Sequence, residues 1–223
     1  MSNPRKILLQ NDNVYHICNR AIEGMTIFKS QRDYERALML LRFYRYDSLP
    51  MRLSHLLQLS PAIQDEVLRS LIAKQRLVDI LAFAIMPNHF HLLLRQNMED
   101  GISKFVSNIS NGFARYFNTK YKRVGPIFQG SFRAVFIEND EQLMHVSRYI
   151  HLNPVASSIL RFEDLRLSRW NSFSEYLNLN RSNLVDTELI MSLFKDTASY
   201  EEFVKDHVGY SKELHIIKHL LME

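Results

Sequence analysis

The chain has 223 residues, 46% of them hydrophobic, with 28 Lys and Arg against 24 Asp and Glu. That is the make-up of a globular protein with one principal domain and room for a real core, without repeats, low complexity or a long linker. The one cysteine, Cys18, excludes an internal disulfide, and the longest apolar stretch, Leu77 to Pro87, is interrupted by Asp79 and too short to span a membrane.

Met1 to Lys6 leads into only three apolar residues, which is not the pattern of a signal peptide, so a cytoplasmic protein is expected. Val14 to Ala21 alternates as a first strand, with Cys18 buried in it. Ser30 to Tyr46 reads as a helix with Ser30 as its cap, and Leu49-Pro50 breaks it. Arg52 to Gln75 has helical spacing interrupted at Pro61, with Ser60 as a second cap, and reads as an inserted helix or two. Arg76 to Ile85 and His89 to Gln96 form a hairpin around Pro87-Asn88. A long helix follows from Ile102 to about Lys120, then a strand from Ser131 to Glu138. Asn139 or Asp140 caps a helix to Leu152, which Pro154 is expected to stop. Trp170 to Tyr176 reads as a turn and short helix. Leu184 to Glu223 has a net charge of −4 and reads as a small accessory module. The order predicts an α+β fold, an antiparallel sheet of about four to five strands with flanking helices. A main domain over 1–160, with an insertion at about 50–76, would precede a helical extension over 161–223.

Charge is unevenly spread. From Gly101 to Ile137 there are six cations and no acid, a local +6 against −2 for the rest. Phe105, Phe113, Tyr116, Phe117, Tyr121, Phe128, Phe132 and Phe136 lie in the same window. Cations that track phosphates, interleaved with rings that stack on bases, suit single-stranded nucleic acid. Helical spacing sends most of these rings to the core instead; the missing acids are harder to explain that way. Arg115, Lys120, Lys122, Arg123, Gln129 and Arg133 are the contacts expected from this segment, together with Arg20 and Arg148 outside it.

Within Met86-Pro87-Asn88-His89-Phe90-His91-Leu92-Leu93, the strand period puts His89 and His91 on one face and Phe90 on the other. Two imidazoles side by side are half of a divalent-metal site. In Arg148-Tyr149-Ile150-His151-Leu152-Asn153-Pro154, helical spacing places Tyr149 and Asn153 on one stripe, with His145 a turn earlier. Each feature alone has an ordinary reading as a chance pair, a packed ring or a turn residue. The combination does not.

The two segments together resemble the signatures of the single-tyrosine HUH transposases, most closely the REP-associated tyrosine transposase branch. Tyr15-His16-Ile17-Cys18-Asn19-Arg20 and Phe128-Gln129-Gly130-Ser131-Phe132-Arg133 support the resemblance, which runs from about Asn13 to Tyr176. It implies a sheet similar to that of the RNA-recognition motif. It implies His89 and His91 as ligands of Mg²⁺ or Mn²⁺, Asn153 completing the metal shell, and Tyr149 as the nucleophile. The activity implied is cleavage and rejoining of single-stranded DNA near hairpins through a 5′-phosphotyrosine, by a monomer or homodimer associated with the nucleoid. The insertion and the acidic tail depart from compact members. A histidine-triad hydrolase would need a third histidine where Leu93 stands. A two-histidine phosphoesterase finds only His145-Val146-Ser147, on a helix. A replication initiator or relaxase would share the chemistry in a larger chain. A domesticated DNA binder without catalysis remains the alternative.

Overall fold

The computed structural model describes residues 8–180 and 182–208. Strands β1 (Val14–Arg20), β2 (Val78–Met86), β3 (His89–Gln96) and β4 (Arg133–Phe136) form one antiparallel sheet in the order β2-β3-β1-β4. Helices α1 (Gln31–Tyr44), α2 (Leu53–Leu56) and α3 (Pro61–Ile72) lie between β1 and β2. Helix α4 (Gly101–Lys120) joins β3 to β4. With the short inserted helices set aside, the chain runs β-α-β-β-α-β, the ferredoxin-like arrangement, and the expected α+β sheet with flanking helices is what forms.

The sheet has two covered faces. Ile17, Phe83, Phe90, Leu92 and Leu94 pack under α1 and α4, against Phe105, Phe113 and Phe117. The opposite face, with Ala82, Ala84 and Leu93, is covered by α5 (Asp140–Ala156), whose Val146, Tyr149 and Ile150 point into it. Strand alternation thus divides one sequence between two cores. Residues beyond 160 share the second core through Leu165, Phe173, Tyr176, Ile190, Tyr200 and Val204, so this extension is built onto α5.

Local chemistry fixes the ends. The Asp33 carboxylate accepts hydrogen bonds from the Lys29 and Ser30 amides at 3.0 and 2.9 Å, holding the start of α1. Pro87-Asn88 makes the two-residue turn of the β2–β3 hairpin. At Gly101 a side chain would overlap the Leu77 carbonyl, so only glycine lets α4 leave the sheet there.

One expectation is corrected. Helix α5 does not stop before Pro154; it continues to Ala156 with the proline inside. Proline has no N–H to offer the Ile150 carbonyl. The Asn171 side-chain amide supplies the missing donor, reaching the Ile150 and His151 carbonyls at 3.5 and 3.0 Å. Asn153 is therefore a buried helical residue, 4% exposed, and not part of a frayed end.

Candidate active site

Pairing register builds the site in rows. On the face under α5, Arg20 of β1 stands opposite His89, which stands opposite Met86. In the next row, Arg133, Cys18, His91 and Ala84 cross all four strands, and in the next Val135, His16, Leu93 and Ala82 do the same. Directly opposed residues share a face. The sheet therefore places His89, His91, His16, Cys18, Arg20 and Arg133 on the side that α5 covers.

Helix α5 brings Tyr149 and Asn153 onto the histidines. The Tyr149 ring meets those of His91 and His16 edge-on, at 5.4 and 5.8 Å between centroids. Asn153 Nδ2 is 3.3 Å from His91 Nε2. All of this is within one chain. Tyr149 is 3% exposed, and its hydroxyl has no hydrogen-bond partner among the described residues. Burial pushes its pKa up to about 12, Cys18 adds to the rise, and Asn153 and the Arg20 charge offset it in part.

The two β3 histidines are held from behind. His89 Nδ1 lies 2.6 Å from Asn88 Oδ1, and His91 Nδ1 lies 3.0 Å from His16 Nε2. A carboxamide oxygen only accepts, so His89 donates from Nδ1 and its Nε2 carries the lone pair. His16 is fully buried, and burial lowers its pKa to about 4. It is the site residue that sequence reasoning passed over. Its alternation with Cys18 and Arg20 was legible; its position beside His91 depends on β1 lying next to β3.

The residues fit a divalent ion. Imidazole nitrogens of His89 and His91 and a carboxamide oxygen form a mixed nitrogen–oxygen donor set suited to Mn²⁺ or Mg²⁺. The buried Asn153 Oδ1 lacks a hydrogen-bond partner, as a ligand oxygen awaiting a cation would. Among the described residues no three His, Cys, Asp or Glu side chains group as ligands, so the third protein ligand would have to be this amide.

The remaining candidate residues divide. Arg20, Gln129 and Arg133 are exposed and close to the histidine rows, since the Gln129 amide donates to the Arg20 carbonyl at 2.9 Å. Arg115 and Lys122 are exposed on and after α4, which packs on the other face of the sheet. Arg123 is half-buried and donates to the Pro126 carbonyl at 2.8 Å. Lys120 is tied to Asp33 at 2.6 Å and to Ser30 at 2.8 Å. Arg148 turns away from the histidines: it is 3% exposed, stacks over Phe203 at 4.2 Å and donates to the Phe203 carbonyl and to His145. His145 is thereby held at the protein surface and does not join the pair. Of the aromatic residues between 101 and 137, Phe105, Phe113, Phe117 and Phe128 are core, and the Tyr116 and Tyr121 hydroxyls donate to Asp33. Phe136, 38% exposed, is the ring left most open.

Residues 62–153 match the family model described as "Transposase IS200 like", a span that contains both the histidine and the tyrosine motifs. No curated protein matches the chain. Among solved structures, the fold is similar to the "REP associates tyrosine transposase bound to a REP hairpin", with a TM-score of 0.54 and 15% identity over 84% of this chain and 90% of that one. No helix among the described residues is long and apolar enough to cross a membrane. The segment that carries both motifs is thus similar to the IS200-like transposases.

Proposed function

We propose that this protein cleaves and rejoins single-stranded DNA near hairpins, with Tyr149 as the nucleophile. The observation that carries this reading is the unpartnered Tyr149 hydroxyl, set beside His91 and one helical turn from Asn153. The Tyr149 oxygen attacks phosphorus, the P–O3′ bond breaks, and the phenolic proton leaves to solvent as the 3′-oxygen gains one. The products are a 5′-phosphotyrosine and a free 3′-hydroxyl. A second 3′-hydroxyl can reverse the step and join new ends, because the ester linkage is conserved.

His89, His91 and Asn153 would hold Mg²⁺ or Mn²⁺, which would draw charge from the scissile phosphate as a Lewis acid. Around it, Arg20 and Arg133 would bind flanking phosphates, with Gln129 beside them. Arg115, Lys122 and Arg123 would extend the basic track away from the site. Lys120 is already paired with Asp33 and Arg148 with Phe203, so neither belongs to the proposed DNA surface. A transposase acting on the chromosome would work in the nucleoid. With Tyr149 against the histidines of its own chain, a monomer holds every proposed catalytic group.

The test is incubation with hairpin-bearing oligonucleotides from the gene's own flanks, with Mn²⁺ or Mg²⁺, followed by a denaturing gel. A covalent adduct that disappears in Tyr149→Phe and with EDTA is expected. Tight hairpin binding without any adduct would instead establish the non-catalytic binder.

A further inference from the structure

His16 has no place in the proposed chemistry, yet it is the most enclosed of the three histidines, with no exposed surface. It lies diagonally across the β1–β3 pair from His91, whose direct partner is Cys18. The His16 and His91 rings stack at 5.1 Å with planes 24° apart, and Nε2 of His16 is 3.0 Å from Nδ1 of His91. Two neutral imidazoles at that distance share one hydrogen, and which ring supplies it decides what His91 presents on its other side.

The surroundings favour His91 as the donor. Its Nε2 faces the Asn153 amide nitrogen at 3.3 Å, which calls for a lone pair there. That assignment also matches His89, whose Nδ1 donates to Asn88. The cost falls on His16: its own hydrogen must then sit on Nδ1, which has no hydrogen-bond partner among the described residues. A buried N–H left without an acceptor is rare enough to need a reason.

We propose that His16 is a positioning residue, which accepts the Nδ1 hydrogen of His91 and so holds the His91 Nε2 lone pair toward Asn153 and Tyr149. The role usually taken by a carboxylate or carbonyl behind a metal-bound histidine is here taken by an imidazole, whose flat ring also fixes the His91 plane by stacking. The inference rests on the reading of His91 as a metal ligand, but its first step concerns a tautomer and can be measured without any metal.

The experiment uses the full chain labelled with ¹⁵N-histidine. Long-range ¹H–¹⁵N spectra, with His91 assigned through His91→Gln, should show its hydrogen on Nδ1. Mn²⁺ affinity is then read by electron paramagnetic resonance for the native protein, His16→Phe and His16→Gln, with thermal unfolding of each to establish folding. Glutamine places an acceptor oxygen where Nε2 was; phenylalanine keeps the ring and removes the acceptor. His16→Phe should weaken Mn²⁺ binding by about 10–100-fold and His16→Gln should recover most of it. If phenylalanine is not accommodated, His16→Leu replaces it. A native His91 carrying its hydrogen on Nε2 would overturn the proposal, and so would Phe and Gln variants with equal affinity. A native protein with the expected tautomer and no Mn²⁺ binding would remove the metal reading and the positioning role with it.

Discussion

Burial works against Tyr149 as a nucleophile. With its pKa near 12, the phenolate fraction at pH 7 is about 10⁻⁵, roughly a hundredfold below that of an exposed tyrosine. The Arg20 charge offsets this only in part. Where chemistry limits the rate, cleavage should therefore rise close to tenfold per pH unit between pH 7 and 9, without a plateau; single-turnover assays across that range would measure it. A plateau below pH 9 would mean that ionisation of Tyr149 is not the step being read. The same unpartnered hydroxyl makes a prediction about stability. Tyr149→Phe removes a buried oxygen that bonds to nothing in the described structure. It should leave the urea midpoint unchanged or raise stability by up to about 1 kcal/mol, while abolishing the adduct. A loss above ~2 kcal/mol would show that the hydroxyl has a partner in solution.

Helix α5 delivers both Tyr149 and Asn153, and it survives a proline because a residue 17 positions further on repairs the hydrogen bonding. Asn171 also accepts from the Phe173 amide at 2.8 Å, so one side chain joins the end of α5 to the start of the short helix Phe173–Tyr176. Asn171→Leu should cost about 2–3 kcal/mol, since it leaves buried carbonyls unsatisfied, and it should lower cleavage more than hairpin binding by loosening Asn153. Equal unfolding midpoints for variant and native protein would refute this. Elements whose signals are local were legible in the sequence: α1 from Ser30, α3 from Ser60-Pro61, and the hairpin from Pro87-Asn88. The two motifs could be read from the periods of strand and helix. The continuation of α5 was not legible, because the rule that proline ends helices considers only the chain's own donors. Nor was the placing of β1 between β3 and β4, which a single strand's alternation does not encode, and without it His16 has no visible neighbour.

Of the buried histidines on the α5 side of the sheet, His16 and His151 have no exposed surface at all. His16 lies under Tyr149. His151, on the far side of α5, lies 2.7 Å from the Ser172 hydroxyl and 2.8 Å from that of Tyr200, which ties the helix Thr197–Lys205 to the core. Burial lowers their pKa values to about 4 and about 3, so both are neutral in the native protein across most of the acid range. In the unfolded chain each takes up a proton near pH ~6.5. The unfolded state therefore binds more protons than the native one as pH falls, and stability drops on acidification. Their full contribution is present above pH ~6.5 and is lost through the interval down to pH ~4, at about 2.7 kcal/mol per pH unit for two protons. Asp33 acts in a different window. Burial raises its pKa, but hydrogen bonds from Lys120, Tyr121, Tyr116 and Ser30 outweigh that and bring it to about 2. Its stabilisation is complete above pH ~4 and is lost only as pH falls toward 2. Urea titrations at pH 7, 6 and 5 should thus show a fall that Asp33 cannot account for, large against a domain stability of about 5–15 kcal/mol. His16→Gln should remove about half of that slope and leave the region below pH 4 as it was. Asp33→Asn should do the reverse, with a native slope between pH 7 and 5. A native protein equally stable at pH 7 and pH 5 would mean that neither imidazole is sealed in solution.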